Sequence, residues 1–215
     1  CMLGFNRRFD PQFSALKKRV SEGDIGQLET LIITSRDPSP PPVEYIKVSG
    51  GIFRDMMIHD FDMARWILGE EPTRIFATGS VMVDSEIGEA GDIDTASVTL
   101  NTASGAIAVI TNSRRASYGY DQRVEAFGKK GMLQVNNTVE NNLVMSGSNG
   151  ITTAKPEYFF LERYASAYRI ELTHFVESLQ NGTKPLTDEN DGLAALRLAE
   201  AAYESWKTGM PVSLI

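Results

Sequence analysis

The sequence predicts an α+β fold, an open, mostly antiparallel sheet with helices packed on one face. Between residues 73 and 160, six or seven short apolar stretches follow one another with turn-forming residues between them, and consecutive strands joined by short turns pair antiparallel. Segments with helical apolar spacing flank that run on both sides. Strands and helices do not alternate, as they would in a parallel, doubly wound sheet.

The elements follow in chain order. Cys1-Met2-Leu3-Gly4-Phe5 is apolar, lacks an initiator Met and reads as the end of a strand whose partners lie upstream, so a fragment is expected. Asp10-Pro11 starts a helix, with Asp as N-cap and Pro in the first turn; Phe13, Leu16 and Val20 mark its apolar face and Gly23 and Gly26 end it. Residues 28–35, LETLIITS, are rich in β-branched side chains and form a strand. The proline cluster at 37–42 closes it as a stiff loop, suited to the mouth of a site; the same composition also serves as a ligand for peptide-binding domains. A second helix follows Gly50-Gly51 and runs to about Leu68, stopped by Gly69. Strands are expected at 74–83, 95–101, 106–113, 123–127, 132–136, 143–146 and 151–153, with hairpin-like connections at 102–105, 129–131 and 148–150. Tyr168, Leu172, Phe175, Val176 and Leu179 then form one apolar helical stripe, ended by Asn181-Gly182. Thr187 is expected to cap the last helix, with Asp188, Glu189 and Asp191 in the first turn, where the helix dipole favours acid; Gly209 and Pro211 stop it.

Composition narrows the function classes. The 215 residues are 42% hydrophobic and 23% charged, an ordinary globular balance. A net charge of −7 argues against nucleic acid as a partner, because phosphate backbones are held by clustered Lys and Arg. The short basic run Lys17-Lys18-Arg19 lies on the first helix as a solvated face. A single cysteine, Cys1, excludes an internal disulfide framework and makes cytoplasm the expected compartment. No apolar run reaches the roughly 18 residues that span a bilayer, so no membrane partner is expected.

Two histidines limit acid–base chemistry near neutral pH to few candidates. His174 sits at the edge of the apolar stripe and reads as an ordinary helix residue. His59 follows Asp55 by four residues, which on a continuous helix places both on one face within hydrogen-bonding reach. A carboxylate on one imidazole nitrogen selects the tautomer, raises the ring's basicity and leaves the other nitrogen free to take a substrate proton. The spacing equally fits a surface ion pair. A metal site at His59-Asp60-Phe61-Asp62 is not expected, since these side chains do not all face one way and the chain offers few further soft ligands. Gly128-Lys129-Lys130-Gly131 and Gly147-Ser148-Asn149-Gly150 sit in turns and complete no phosphate-binding motif, and no G-x-S-x-G is present.

Four segments together carry a resemblance: GFNRRFDPQF at 4–13, EGDIGQL after it, GGIFRDMMIHDFDMARWILGEEP at 50–72, and the closing LTDENDGLAALRLAEAAYESWKTGMPVSL. Over essentially its whole length the chain resembles the glucose–fructose oxidoreductase and inositol dehydrogenase family. The resemblance implies two domains, an N-terminal Rossmann domain that binds NAD and a C-terminal α+β domain whose open sheet carries the substrate and usually builds the oligomer interface. Residues 1–9 then correspond to a remnant of the crossover from a Rossmann domain that this chain lacks, and 10–215 to the substrate-binding, catalytic and oligomerisation domain. The implied activity is NAD-dependent oxidation of a ring hydroxyl of inositol or a related polyol or sugar, with NAD bound mainly by the absent domain and the protein a homodimer or homotetramer through the sheet.

The resemblance makes His59 the general base and Asp55 its partner, also in touch with substrate hydroxyls. Arg7 matches a substrate-contacting arginine, and Asp37, Tyr118 and Tyr120 are further substrate contacts; a surface role for Arg7 and a packing role for the tyrosines are the alternatives. The family's lysine, in a Glu-Lys-Pro motif, has no counterpart here, and neither Lys47 nor Lys129 stands in that context. Met56 replaces a threonine found in some members, which leaves the ring substrate open. A non-catalytic sugar-binding or oligomerisation domain is the competing reading, and a related enzyme of glucose-type sugars or dihydrodiols is a third. The isolated chain is expected to be inactive.

Overall fold

The computed structural model describes residues 1–214. Its strands are β1 (Leu28–Arg36), β2 (Pro72–Ser80), β3 (Thr95–Thr102), β4 (Ile107–Ser113), β5 (Asp121–Gly128), β6 (Gly131–Val135), β7 (Val144–Gly147), β8 (Gly150–Thr153) and β9 (Val212–Ser213). Its helices are α1 (Pro11–Ser21), α2 (Val43–Ser49), α3 (Ile52–Asp55), α4 (Ile58–Leu68), α5 (Ser85–Glu89), α6 (Phe160–Arg163), α7 (Ala165–Asn181) and α8 (Glu189–Thr208), with a 3-10 turn at Asn6–Phe9.

Seven strands form the main sheet in the order β6-β5-β1-β4-β3-β2-β9. Neighbours pair antiparallel except β1 and β4, which are parallel. The exception has a chain-geometry cause. β1 and β4 are separated by α2, α3, α4 and the β2–β3 pair, and only so long a crossover lets two strands run the same way side by side. The expected open, mostly antiparallel sheet is thus what the chain forms. Leu31, Ile33, Val98, Leu100, Ala108, Ile110, Val124 and Ala126 line its buried face. Against that face pack α4 and α8, which touch β1 and β2 respectively and each other.

Several local expectations give way to tertiary contacts. Cys1–Phe5 forms no strand; instead Leu3 is tied to residue 187, whose carbonyl takes the Leu3 amide and whose hydroxyl donates to the Leu3 carbonyl. With Thr187 so engaged, Asp188 caps α8 in its place, in a reciprocal capping box with Asp191. β2 stops at Ser80 because the Asp94 carboxylate accepts the amides of Met82, Val83 and Asp84. β7 and β8 pair only with each other, as an exposed hairpin apart from the main sheet. The stripe on α7 faces outward: Tyr168, Leu172, Val176 and Leu179 are exposed, while Ala167 and Ser178 are buried on the side that meets the 3-10 turn. Residues 51–68 are not one helix. Met57 donates its amide back five residues to the Ile52 carbonyl, and this wide turn separates α3 from α4.

Candidate active site

A cavity of about 740 Å³ opens where β1 and β4 run out, between the 3-10 turn, α2, α3, α4 and α6. Arg7, Asp37, Asp55, His59 and Tyr120 all line it; Tyr118 does not.

The 3-10 turn NRRF fires its two arginines into α4. Arg7 is ion-paired with Asp60 and donates to Ser35 Oγ at 3.2 Å, and Asp60 also accepts from Asn112 Nδ2 at 2.9 Å. Arg8 donates to Asp62 at 2.5 and 2.9 Å and to Asp191 at 2.7 Å. Burial alone disfavours the charge on Arg7, but Tyr164 and Asp60 outweigh it and hold its pKa above the usual arginine range. Arg7 is therefore a buried, permanently charged wall of the cavity and no surface arginine. Asp60 and Asp62 are thus engaged by arginines, and among the described residues no three His, Cys, Asp or Glu side chains are grouped so that they could hold a metal ion.

Asp37 follows the last residue of β1, its amide bonded to the Ser113 carbonyl at 3.0 Å. Burial pushes its carboxyl up to about 6, against the pull of Arg114 and Arg7. His59 stands edge-on to Phe5, with centroids 5.8 Å apart. Its Nδ1 is buried with no hydrogen-bond partner among the described residues, so Nε2 is the nitrogen presented to the cavity. Burial, with Arg7 nearby, lowers its pKa to about 3, which keeps the ring neutral at ordinary pH, with the Nε2 lone pair unprotonated.

Asp55 is not hydrogen-bonded to His59. Its Oδ1 accepts from the Tyr45 hydroxyl at 2.6 Å and its Oδ2 from Arg114 Nη2 at 3.2 Å. The wide turn at Met57 is the cause, since it breaks the helical register on which the expected contact depended. Both side chains still reach the same cavity. Tyr118 and Tyr120 diverge for a related reason: the turn closed by Gly119, at φ 126° with its amide on Ala116, sends them to opposite sides. Tyr120 is buried and stacks edge-on to Tyr164 at 6.0 Å, whereas Tyr118 donates to Asp121 at 2.5 Å and accepts from Arg36 at 2.9 Å.

The structure adds Tyr45, Arg114 and Tyr164 to the cavity. Arg114 had a signal in the sequence. Ala108, Ile110 and Asn112 alternate inward along β4, and the same period of two carries on to Arg114. Tyr45 had none, because α2 directly follows the prolines without a polar cap. Met56 is buried in the wall. The cavity thus combines a neutral imidazole, carboxylates, guanidinium groups already paired, and phenols, a set of fixed donors and acceptors suited to a small, uncharged, polyhydroxylated molecule.

Residues 13–134 match the family described as the GFO/IDH/MocA C-terminal domain. An inositol 2-dehydrogenase of Rhizobium meliloti (strain 1021) is 53% identical over 204 residues, which cover 95% of this chain and 62% of that protein. The crystal structure of a myo-inositol dehydrogenase from Corynebacterium glutamicum ATCC 13032 is 47% identical, with a TM-score of 0.96 over 100% of this chain and 64% of that one. A scyllo-inositol dehydrogenase from Lactobacillus casei, solved with bound NAD(H) and scyllo-inositol, has a TM-score of 0.89 at 30% identity, over 98% of this chain and 64% of that one. The chain spans a little under two thirds of the length of these relatives. Matching fold, family profile and motif segments agree, and the chain belongs to the GFO/IDH/MocA family, of which it carries the C-terminal domain.

Proposed function

We propose that this chain is the substrate-binding and catalytic domain of an NAD-dependent oxidoreductase that oxidises a ring hydroxyl of inositol or a related polyol or sugar. One observation carries the reading: His59, kept neutral by burial, shares a cavity with two carboxylates, Asp55 and Asp37, on a chain whose relatives are named as inositol dehydrogenases. His59 Nε2 takes the proton of the reacting hydroxyl. Asp55 accepts a hydrogen bond from a substrate hydroxyl, and Asp37, Arg7 and Tyr120 fix the ring's orientation. A wrong stereoisomer leaves one of these buried groups unpaired, which is how such a site discriminates.

The nicotinamide, when bound, supplies the hydride acceptor. The cavity wall at Pro40, Pro41, Phe159 and Phe160 suits the flat face of such a ring. The pyrophosphate finds no glycine-rich turn leading into a helix in this sequence, so a separate domain of a longer protein holds the dinucleotide. The open sheet face is the proposed contact between copies in a homodimer or homotetramer. Cytoplasm is the proposed compartment; Cys1 is a free thiol, and among the described residues no helix is long and apolar enough to cross a membrane.

Steady-state assays of the full-length protein with NAD and a polyol panel test the reading, and turnover of no inositol removes the preferred substrate. His59→Ala in that protein is expected to lose about a hundredfold or more in turnover, the scale of a positioned base. A loss under about threefold returns His59 to a packing role.

A further inference from the structure

Asp55 is the last residue of a four-residue helix followed by a wide turn, so no long helix holds it in place. Its geometry must come from side chains, and each of its oxygens has one donor. Tyr45, half exposed, holds Oδ1. Arg114, with its side chain only 1% exposed, holds Oδ2 through Nη2 at 3.2 Å. The same Nη2 lies 3.6 Å from Asp92 Oδ2, an ion pair without a hydrogen bond, and Asp92 is not part of the cavity lining. Asp92 also ties down the start of the Asp55 helix: its Oδ1 accepts the Ile52 amide at 3.1 Å. The fit is close enough that a Cβ on Gly51, at φ +85°, would stand 2.8 Å from that oxygen. The Arg114 backbone is fastened as well, its amide on the Asp94 carbonyl at 2.8 Å. One loop, 92–94, thus holds both the arginine that grips Asp55 and the helix that carries it.

We infer that Arg114 is the positioning residue for Asp55, and that Asp92, outside the cavity, acts through it by anchoring the guanidinium and closing the helix start. This rests on the reading that Asp55 meets the substrate. With one lone pair of each oxygen taken by Tyr45 and Arg114, the carboxylate keeps a fixed orientation and has an acceptor site left for a hydroxyl. Supporting groups behind a reactive side chain set its geometry in this way, and a displacement near 1 Å is costly. The guanidinium needs both carboxylates, because a buried arginine that loses one partner shifts toward the other.

The test is a double-mutant cycle in the full-length protein, with the ring polyol that the parent oxidises. Arg114→Met and Asp92→Asn are each expected to lower kcat/KM for the polyol about tenfold or more, with the KM for NAD within about twofold of the parent. In an Asp55→Asn background the Arg114→Met change is expected to cost less than about a further twofold, since an arginine that acts only through Asp55 has nothing left to act on. Arg114→Lys keeps the charge and is expected to recover part of the loss. Losses that multiply in the double variant overturn the proposal, as does an Asp92→Asn enzyme with parental kcat/KM. Asp92→Asn keeps an oxygen for the Ile52 amide and covers the case in which Arg114→Met does not fold.

A crystallographic arm is independent of substrate. In Arg114→Met, or in Asp92→Asn where that variant does not fold, the Asp55 carboxylate is expected to leave its parental position by more than about 1 Å while the backbone of 52–59 stays within about 0.5 Å. An unmoved Asp55 overturns the proposal whatever the substrate, whereas a parent inactive on every polyol overturns the functional reading alone.

Discussion

Two cavity side chains respond to acid with opposite signs. His59 titrates near 6.5 in the unfolded chain and near 3 in the folded one. Between those values the unfolded chain binds a proton that the folded chain refuses, so the contribution of His59 is fully present above pH 6.5 and is lost as pH falls toward 3. Asp37 runs the other way, from 3.8 unfolded to about 6 folded. Its carboxyl is best tolerated when protonated, so its stabilising contribution is present below 3.8 and lost as pH rises through 6. Asp37→Asn is therefore expected to raise Tm at pH 7.5 by about 2–4 °C, the scale of about 1 kcal/mol in a domain of this size, with the gain gone by about pH 4. Thermal melts across that range check it, and a variant no more stable than the parent at pH 7.5 refutes the burial argument. His59→Gln is expected to flatten the fall in Tm between pH 7 and pH 5. An unchanged slope places the acid sensitivity elsewhere.

At the scale of elements, the junction of α2, α3 and α4 is where the site is made and where a small change is most costly. Gly50 and Gly51 both have positive φ, at 91° and 85°, so the chain turns there in a way that side chains resist. Gly51 has a second reason, the Asp92 carboxylate oxygen 2.8 Å from where a Cβ would stand. Gly91 offers a control, with the same φ of +85° but open space around it. Gly91→Ala is expected to cost about 1 kcal/mol from backbone strain alone, and Gly51→Ala about 2–3 kcal/mol because Asp92 must also give way. Urea unfolding of the two variants measures the difference, and equal losses mean that the contact with Asp92 contributes nothing.

At the scale of the molecule, strand register decides which residues share the open face. Ile32 pairs with Val109 and with Glu125, Val109 with Thr99, and Thr99 with Phe76. Ile32, Phe76 and Val109 therefore lie on one side, joined by Ile107 and Phe127 at steps of two. Ile32, Phe76, Ile107 and Phe127 are between 37% and 44% exposed, large apolar side chains interspersed with Thr30, Thr99 and Glu125 on a face that a partner would cover. Ile32→Glu with Phe76→Glu is expected to convert the assembly to monomer in light scattering or sedimentation, with the far-UV spectrum unchanged. A parent that is already monomeric at micromolar concentration refutes the interface.

Much of this was legible in the sequence wherever the signal was local. The cap at Asp10-Pro11, the stops at Gly69, Gly182 and Gly209, and the short β-branched and apolar runs of β1, β3 and β4 each depend on a few neighbouring residues, and they were enough for the sheet and the flanking helices. Periodicity also located the stripe on α7, but not its direction, because spacing says that residues share a face and not what covers it. The site divides in the same way. Its residues Arg7, Asp37, Asp55, His59 and Tyr120 came from the sequence, whereas their partners came from the fold: Asp60 for Arg7, Arg114 and Tyr45 for Asp55. The expected Asp55–His59 contact assumed a continuous helix. The bond from the Met57 amide to the Ile52 carbonyl breaks it, and no property of either residue alone foretells a bond made five residues back. Sequence by itself pointed to Arg7, Asp37, Asp55, His59 and Tyr120 as cavity side chains, and missed Tyr45, Arg114 and Tyr164. Only tertiary structure decided which atoms meet there, because each meeting depends on elements distant in sequence being pressed together.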